Sequence, residues 1–114
     1  MFGLPSLFAG KVHAILFRGW KSRVKGRDLY DYIWYLSKEI DINIDHLNER
    51  IRRFDHAQKE DLSLQEIKGL LRNKFEKIDY RSAIDDVLPF IKDDSWQKLW
   101  SKDFFISITE DRLK

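Results

Sequence analysis

The spacing of apolar residues is the feature that most limits what this chain can fold into. They recur every three or four positions, as in the series Leu29, Ile33, Leu36 and Ile40, which is the repeat of an α-helix with one buried face. No segment alternates apolar and polar residues as a half-buried strand does. The 114 residues suffice for one core but not for two lobes. We therefore predict an all-α fold, a single compact bundle of about five to seven helices in one domain, residues 1–114.

Capping residues and helix breakers predict where the helices begin and end. Ser63 with Glu66 three residues later is a capping box, which marks a helix start. Pro89 marks a break. The expected helices are residues 6–18 with Ser6 as the cap, 27–40, 45–57, one opening at 63, one from 79 or 82 to near Pro89, and one from 94 or 95 through Trp96, Leu99 and Trp100.

Composition excludes several classes of protein. With 43% hydrophobic and 35% charged residues, the chain is globular rather than disordered. Its longest apolar run is far shorter than the ~18 residues that a membrane helix needs. There is no cysteine, which excludes disulfide and thiolate chemistry, and no export signal is visible. We expect a cytoplasmic protein with no membrane partner.

Charge is unevenly placed, although the net charge is only +2. The stretch from Lys11 to Arg27 contains six basic residues and no acidic one. Such a cluster attracts phosphate-bearing ligands, but it is also typical of a solvated connector between two helices. For Lys21 and Arg23 we favour the connector.

Lys11 is one of the few polar residues on a first helix whose surface is otherwise almost wholly apolar. A lysine at the edge of such a surface extends to water, pairs with a carboxylate, or binds an anion such as phosphate. The nearest candidate carboxylates are Asp28 and Asp31, neighbours on the next helix that lie off its apolar stripe, so we expect neither in the core. We predict that the three side chains converge, and for the two acids we favour salt bridging over metal ligation.

Two motifs in this region resemble those of a known family. The segment Leu4-Pro-Ser-Leu-Phe-Ala-Gly-Lys11 precedes a helix with the pattern Lys25-x-Arg27-Asp28-x-x-Asp31. In this order the chain is similar to the AbiEii/AbiGii abortive-infection toxins, a nucleotidyltransferase-like family. Gly10 departs from the family, which commonly carries an acidic residue before the lysine.

The resemblance implies a function and a set of site residues. It implies transfer of a nucleotidyl group from an NTP, with Mg²⁺, to an RNA or protein acceptor in the complete enzyme, and a cognate antitoxin as partner. It implies Lys11, Asp28 and Asp31 as catalytic residues. Contacts to the nucleotide phosphates would come from Lys11, Lys25 and Arg27. No residue of this chain is assigned to metal binding.

Part of the family's machinery has no counterpart in this sequence. The Gly-rich turn and the Asp-x-Asp metal pair of the catalytic sheet lobe are not found, so the chain resembles the C-terminal helical lobe. We therefore expect the isolated chain to be inactive as a nucleotidyltransferase and to bind neither NTP nor Mg²⁺ tightly. The alternative is a non-enzymatic helical interaction module, a truncated remnant of such a toxin.

Aromatic residues are numerous, sixteen in the whole chain. They are hard to bury entirely in a small domain, and an exposed apolar patch normally marks an interface, so we predict a homodimer formed through an aromatic-rich helical face. The three histidines lack the spacing of metal ligands. Four aromatic residues lie close to the two acids in the sequence: Tyr30, Tyr32, Trp34 and Tyr35. Such rings can stack on a base, but they more often belong to the core. For Trp20, in the connector, we also expect packing against the protein rather than stacking on a base.

Overall fold

The computed structural model describes residues 3–17, 26–54, 60–90 and 98–114. Within these ranges the chain forms α-helices and no β-strand, which confirms the predicted all-α bundle of five to seven helices. None of the described helices is long and apolar enough to cross a membrane. In chain order the described helices are α1 (Leu4–Phe17), α2 (Gly26–Ser37), α3 (Ile44–Phe54), α4 (Leu64–Lys77), α5 (Tyr80–Val87), a 3₁₀ turn (Leu88–Phe90) and α6 (Lys102–Arg112).

Two of the predicted helix starts are confirmed. Ser63 Oγ accepts a hydrogen bond from the backbone N–H of Glu66, and the Glu66 carboxylate accepts one from the backbone N–H of Ser63, so both halves of the capping box form before α4. Asp79 caps α5 by accepting from the backbone N–H of Ser82. The break near Pro89 is also as expected, because α5 gives way there to the 3₁₀ turn.

The predicted start of the first helix is wrong. The helix α1 begins at Leu4, with Pro5 in its first turn, where the missing N–H is not needed. Ser6 is therefore not the cap; its hydroxyl accepts a hydrogen bond from Asn43 Nδ2 at 3.0 Å. Asn43 in turn caps α3, since its Oδ1 accepts from the backbone N–H of His46 at 3.0 Å. One side chain thus holds the starts of two helices together.

The predicted helix start at Asp94 or Ser95 lies outside the described residues, but a helix through Leu99 and Trp100 is not found. The helix α6 begins only at Lys102, and Ser101 caps it by accepting from the backbone N–H of Phe104. Leu99 and Trp100 precede the helix, and residues 94–97 fall outside the described part of the chain. The buried Trp100 ring instead meets Phe105 edge-on, with ring centroids 5.4 Å apart.

The second helix ends three residues earlier than predicted, at Ser37 rather than Ile40. Glu39 turns the chain with a φ of 56°, in the left-handed region. The backbone N–H of Ile40 then donates to the Tyr35 carbonyl at 3.2 Å, and that of Glu39 donates to the Leu36 carbonyl at 3.1 Å. These are the hydrogen bonds of a Schellman motif, which usually has glycine at the left-handed position. Because glutamate occupies it here, nothing in the sequence marks the helix end.

The core lies where the helices cross. The helix α1 packs against α2, α3 and α4, while α2 also packs against α5, and α4 against α6. Aromatic contacts run through the middle from Phe8 to Tyr32, from Tyr32 to Phe75 and from Phe75 to Phe105, with ring centroids 5.2 to 5.9 Å apart. The buried Tyr32 hydroxyl also lies 2.7 Å from Thr109 Oγ1. With neighbours on three sides, α1 needs the almost wholly apolar surface that the sequence gives it.

The link between α2 and α3 is tied to both ends of the described chain. The backbone N–H of Asn43 donates to the Pro5 carbonyl at 3.1 Å, in the first turn of α1. The backbone N–H of Ile42 donates to the Lys114 carbonyl at 2.8 Å. Leu113, just after α6, is fully buried. The residues that follow α6 are therefore part of the packed structure.

Candidate functional site

Lys11 lies between two carboxylates where α1 meets the first turn of α2. Its Nζ is 2.7 Å from Asp28 Oδ1 and 3.0 Å from Asp31 Oδ2. The prediction that these three side chains converge is confirmed, and both acids form salt bridges with the lysine. We refer to Lys11, Asp28 and Asp31 as the charged trio.

The antiparallel packing of α1 and α2 explains this convergence. Near Lys11 and one turn earlier, the Phe8 ring stacks on Tyr35 with ring centroids 4.9 Å apart and also contacts Tyr32. These two tyrosines lie one turn after the two acids on α2. A step forward along α1 is therefore a step backward along α2, which brings Lys11 to the start of the second helix.

The two carboxylates differ in exposure. The side chain of Asp28 is 6% exposed and that of Asp31 is 47% exposed, while that of Lys11 is 24% exposed. The expectation that neither acid belongs to the core is wrong for Asp28, which is buried. The reason is that α5 packs against α2 and covers its first turn, which widens the buried face beyond the apolar stripe. Of the two acids, Asp31 is the one open to a ligand.

The two acids keep Lys11 charged. Burial is the largest single effect, and it lowers the pKa of Lys11 because a partly buried ammonium loses hydration. The hydrogen bonds and the negative charges of Asp28 and Asp31 act in the opposite direction and prevail, so the pKa of Lys11 lies above its ordinary value. With both carboxylates ionised, one positive charge faces two negative ones, and the charged trio as a whole is anionic.

Gly26 and Asp86 fix the first turn of α2 against α5. A Cβ at position 26 would lie 2.0 Å from the Ala83 carbonyl oxygen and 2.7 Å from Val87 Cγ2, so the contact requires glycine. The backbone N–H of Gly26 donates to Asp86 Oδ2 at 3.0 Å. This satisfies one of the N–H groups that a helix start leaves without an intrahelical partner. Asp28 stands two residues further along this fixed turn.

Arg27 lies beside the charged trio rather than in it. Its side chain is exposed, and its guanidinium carbon is 6.0 Å from the centroid of the Phe90 ring. Lys25, the other predicted phosphate contact, and Trp20 lie outside the described residues. Reasoning from the sequence did not find Phe90, whose one signal is an apolar residue directly after the helix-breaking Pro89.

Among the aromatic residues of α2, Tyr32 belongs to the core as expected, whereas Trp34 does not. Tyr32 is fully buried, and burial raises the pKa of its hydroxyl well above the ordinary value, although the hydrogen bond to Thr109 acts against this. Trp34 is 42% exposed and packs edge-on against Tyr35, with ring centroids 5.1 Å apart. In the described part of the chain, no group of three or more His, Cys, Asp or Glu side chains could hold a metal ion.

Gly10, the residue before the lysine, faces a cation. A Cβ at this position would lie 3.5 Å from the guanidinium carbon of Arg50, on α3, which is ordinary contact. Arg50 Nε also donates to His46 Nε2 at 3.0 Å. An acidic residue at position 10 would therefore meet Arg50 and not only the neighbouring lysine, and the glycine leaves Arg50 with the histidine.

Comparison with known proteins gives one match. A family model described as the nucleotidyl transferase AbiEii toxin of a type IV toxin–antitoxin system matches residues 1–102. No curated protein and no solved structure is significantly similar to the chain. The matched residues include the whole charged trio and the helices α1 to α5.

Proposed function

Since the chain belongs to the AbiEii nucleotidyl transferase toxin family, we propose that its charged trio contacts the phosphates of a nucleoside triphosphate. The chain is then the helical portion of a nucleotidyltransferase-like toxin, and Lys11 is the principal phosphate contact. One observation carries the proposal. Lys11 Nζ is held at 2.7 Å by a buried carboxylate, while its second partner, Asp31, is half exposed.

Asp31 is the partner that a phosphate can replace. A phosphate oxygen that approaches Lys11 meets a trio with excess negative charge, so it must displace one carboxylate. An exposed ion pair contributes little because water and salt screen it, whereas breaking a buried pair is costly. Exchange at Asp31 therefore leaves Lys11 oriented by Asp28 and open on its outer side.

This arrangement suits the leaving-group side of nucleotidyl transfer. In that reaction an oxygen of the acceptor bonds to the α-phosphorus, the bond from that phosphorus to the bridging oxygen breaks, and negative charge develops on the departing pyrophosphate. A fixed ammonium offsets such charge. Arg27, which is exposed beside the trio, and Lys25 are the further phosphate contacts in this proposal. Asp28 positions Lys11, and Asp31 gives way to the phosphate.

The charged trio does not fit a magnesium site by itself. Mg²⁺ requires several oxygen ligands in a regular arrangement, and both carboxylates are bound by Lys11. We therefore assign no metal ligand to this chain. NTP and Mg²⁺, an RNA or protein acceptor and an antitoxin belong to the proposal for the complete enzyme. That the isolated chain is inactive and binds NTP weakly stays a prediction.

A second candidate function is a non-enzymatic interaction module, in which the charged trio serves only to join α1 to α2. The pairing itself favours it, because Lys11 already has two carboxylates within 3.0 Å. In that case the exposure of Asp31 has no role in ligand binding, and replacing Asp31 by a neutral residue has no effect on anion binding.

Binding of inorganic tripolyphosphate to the full chain separates the two candidates. We expect Asp31→Asn to bind it several-fold more tightly than the wild type, because the competing charge is gone. We expect Lys11→Met to bind it about tenfold more weakly, through loss of a charged hydrogen bond. Lys38→Met, an exposed lysine just after α2, is the matched control and should bind as the wild type does. Titration of the backbone amide resonances gives each affinity.

Folding must be controlled in this comparison. Lys11→Met leaves Asp28 buried without its lysine, which can destabilise the chain, so the double variant Lys11→Met/Asp28→Asn is measured as well. Equal tripolyphosphate affinities in the wild type, Asp31→Asn and the folded Lys11 variant would contradict the phosphate role. The interaction module would then be the better account.

A further inference from the structure

A pocket of about 360 Å³ opens beside the charged trio. Its walls are Arg27, Tyr30 and Asp31 from α2, together with Val87 at the end of α5 and Phe90 in the 3₁₀ turn. Small-molecule sites have volumes of this order and combine apolar walls with a few polar groups. Because Asp31 belongs both to the trio and to the pocket wall, the two are continuous.

Phe90 is the most exposed large apolar residue in the described part of the chain. It is 71% exposed, whereas phenylalanine is among the residues most often found inside a protein. Pro89 and the 3₁₀ turn fix the backbone that carries it. An aromatic ring held in the open beside a pocket is a surface on which another flat ring can stack.

Arg27 lies across from this ring. The distance of 6.0 Å between its guanidinium carbon and the Phe90 centroid is wider than direct stacking, in which atoms touch at about 3.5 Å. A flat ring inserted between the two needs two such contacts, about 7 Å in all. A movement of about 1 Å by two exposed side chains opens that space. Guanidinium groups also stack on aromatic rings, so both walls suit the same ligand.

We propose that this pocket binds the base of a mononucleotide, stacked between Phe90 and Arg27. The inference rests on the proposed function, because the phosphates of the same nucleotide reach Lys11 past Asp31. An ionised Asp31 carboxylate only accepts hydrogen bonds, so it selects a ligand that presents N–H or O–H donors next to its flat ring. The bases and ribose of nucleotides present such donors beside a flat ring, whereas a lipid tail presents none and the carboxylates of an acidic peptide are repelled by Asp31.

Titration of the full chain with each of the four ribonucleoside monophosphates tests this inference. We expect Phe90→Leu to bind the tightest of them about tenfold more weakly, the effect of removing one base–aromatic stack. Phe90→Trp should keep the affinity, because it keeps a ring. Neither change should alter the affinity for tripolyphosphate. Leu99→Ala removes another large apolar side chain, 59% exposed, and is the matched control.

Three results would overturn the base pocket. The first is an equal affinity of the wild type and Phe90→Leu for mononucleotides. The second is the absence of any shift of the Tyr30 and Phe90 amide resonances with every mononucleotide. The third is a Phe90-dependent response only to a single-stranded oligoribonucleotide, which would assign the pocket to an RNA acceptor. The phosphate role fails in a different way. A Phe90-dependent response to adenosine or guanosine, with no response of Lys11 to tripolyphosphate, would refute that role and support the base pocket.

Discussion

Glu39 has a backbone conformation that suits glycine better than glutamate. Its φ of 56° costs a residue with a side chain about 1–2 kcal/mol. The conformation persists because it lets the chain after α2 return hydrogen bonds to the Tyr35 and Leu36 carbonyls, which are otherwise left without partners at the helix end. The end of α2 is thus held at the expense of strain in a single residue.

Replacing this residue by glycine should relieve the strain. We expect Glu39→Gly to raise the free energy of unfolding by about 0.5–1 kcal/mol. Glycine removes the backbone strain but adds conformational entropy to the unfolded chain, which offsets part of the gain. Urea unfolding followed by circular dichroism measures the change. Glu39→Ala is the control, because it removes the same carboxylate but keeps the Cβ. An equal gain from alanine would assign the effect to charge and not to the backbone.

At the scale of the helices, the close packing of α2 on α5 depends on glycine at position 26, which has no side chain. We expect Gly26→Ala to lower the free energy of unfolding by about 1–3 kcal/mol, because the added methyl group meets the Ala83 carbonyl oxygen, which cannot rotate away. The first turn of α2 must move, and Asp28 moves with it, so the amide resonance of Lys11 should shift as well. Urea unfolding and the amide spectrum measure these two effects.

The matched control is Gly69→Ala, in the middle of α4. A Cβ there meets nothing within 4 Å, and alanine favours a helix by about 1 kcal/mol over glycine. The two glycine variants should therefore change stability in opposite directions. A Gly26→Ala protein as stable as the wild type would show that α2 and α5 are not as close as described.

The helices themselves could be predicted from the sequence because their signals are local. The apolar repeat of α2 and the capping box of Ser63 and Glu66 are complete within a few residues, so no knowledge of the rest of the chain is needed. The convergence of Lys11 with the two acids was also predictable, but from motif order rather than from spacing, which does not determine how two helices cross.

What the sequence did not predict depends on distant partners. Gly26 and Asp86 are 60 positions apart, and their hydrogen bond belongs to the packing of α5 on α2 that buries Asp28 and requires glycine at position 26. Ser6 resembles a helix cap in the sequence, but α1 begins before it and its hydroxyl accepts a hydrogen bond from Asn43, the residue before α3. Periodicity shows which face of a helix is buried, but it does not show which other helix widens that face.

At the scale of the whole molecule, the described aromatic residues are divided between core and surface. Tyr32 and Trp100 are buried, whereas Trp34 is 42% exposed. Leu7, 47% exposed, lies one turn before Lys11 on α1, and Trp34 lies one turn after Asp31 on α2. Because α1 and α2 are antiparallel, both positions lie toward the same end of the helix pair relative to the charged trio.

The predicted homodimer should use the exposed side chains of Leu7 and Trp34. We expect light scattering to give a mass near twice 13.8 kDa at high protein concentration, because burying the exposed leucine and tryptophan favours association. Leu7→Ser/Trp34→Ser should return the mass to 13.8 kDa, and Leu99→Ser, at another exposed apolar position, should not. A wild-type mass of 13.8 kDa at every concentration would contradict the dimer.

The hydrogen bond between Ile42 and Lys114 bears on how this protein is synthesised. It joins the middle of the chain to its last described residue, and the nearby contact of Tyr32 with Thr109 spans 77 positions. During translation the N-terminal part of a chain emerges first. The Tyr32 side of α2 therefore stays uncovered until α6, which carries Thr109, has been synthesised.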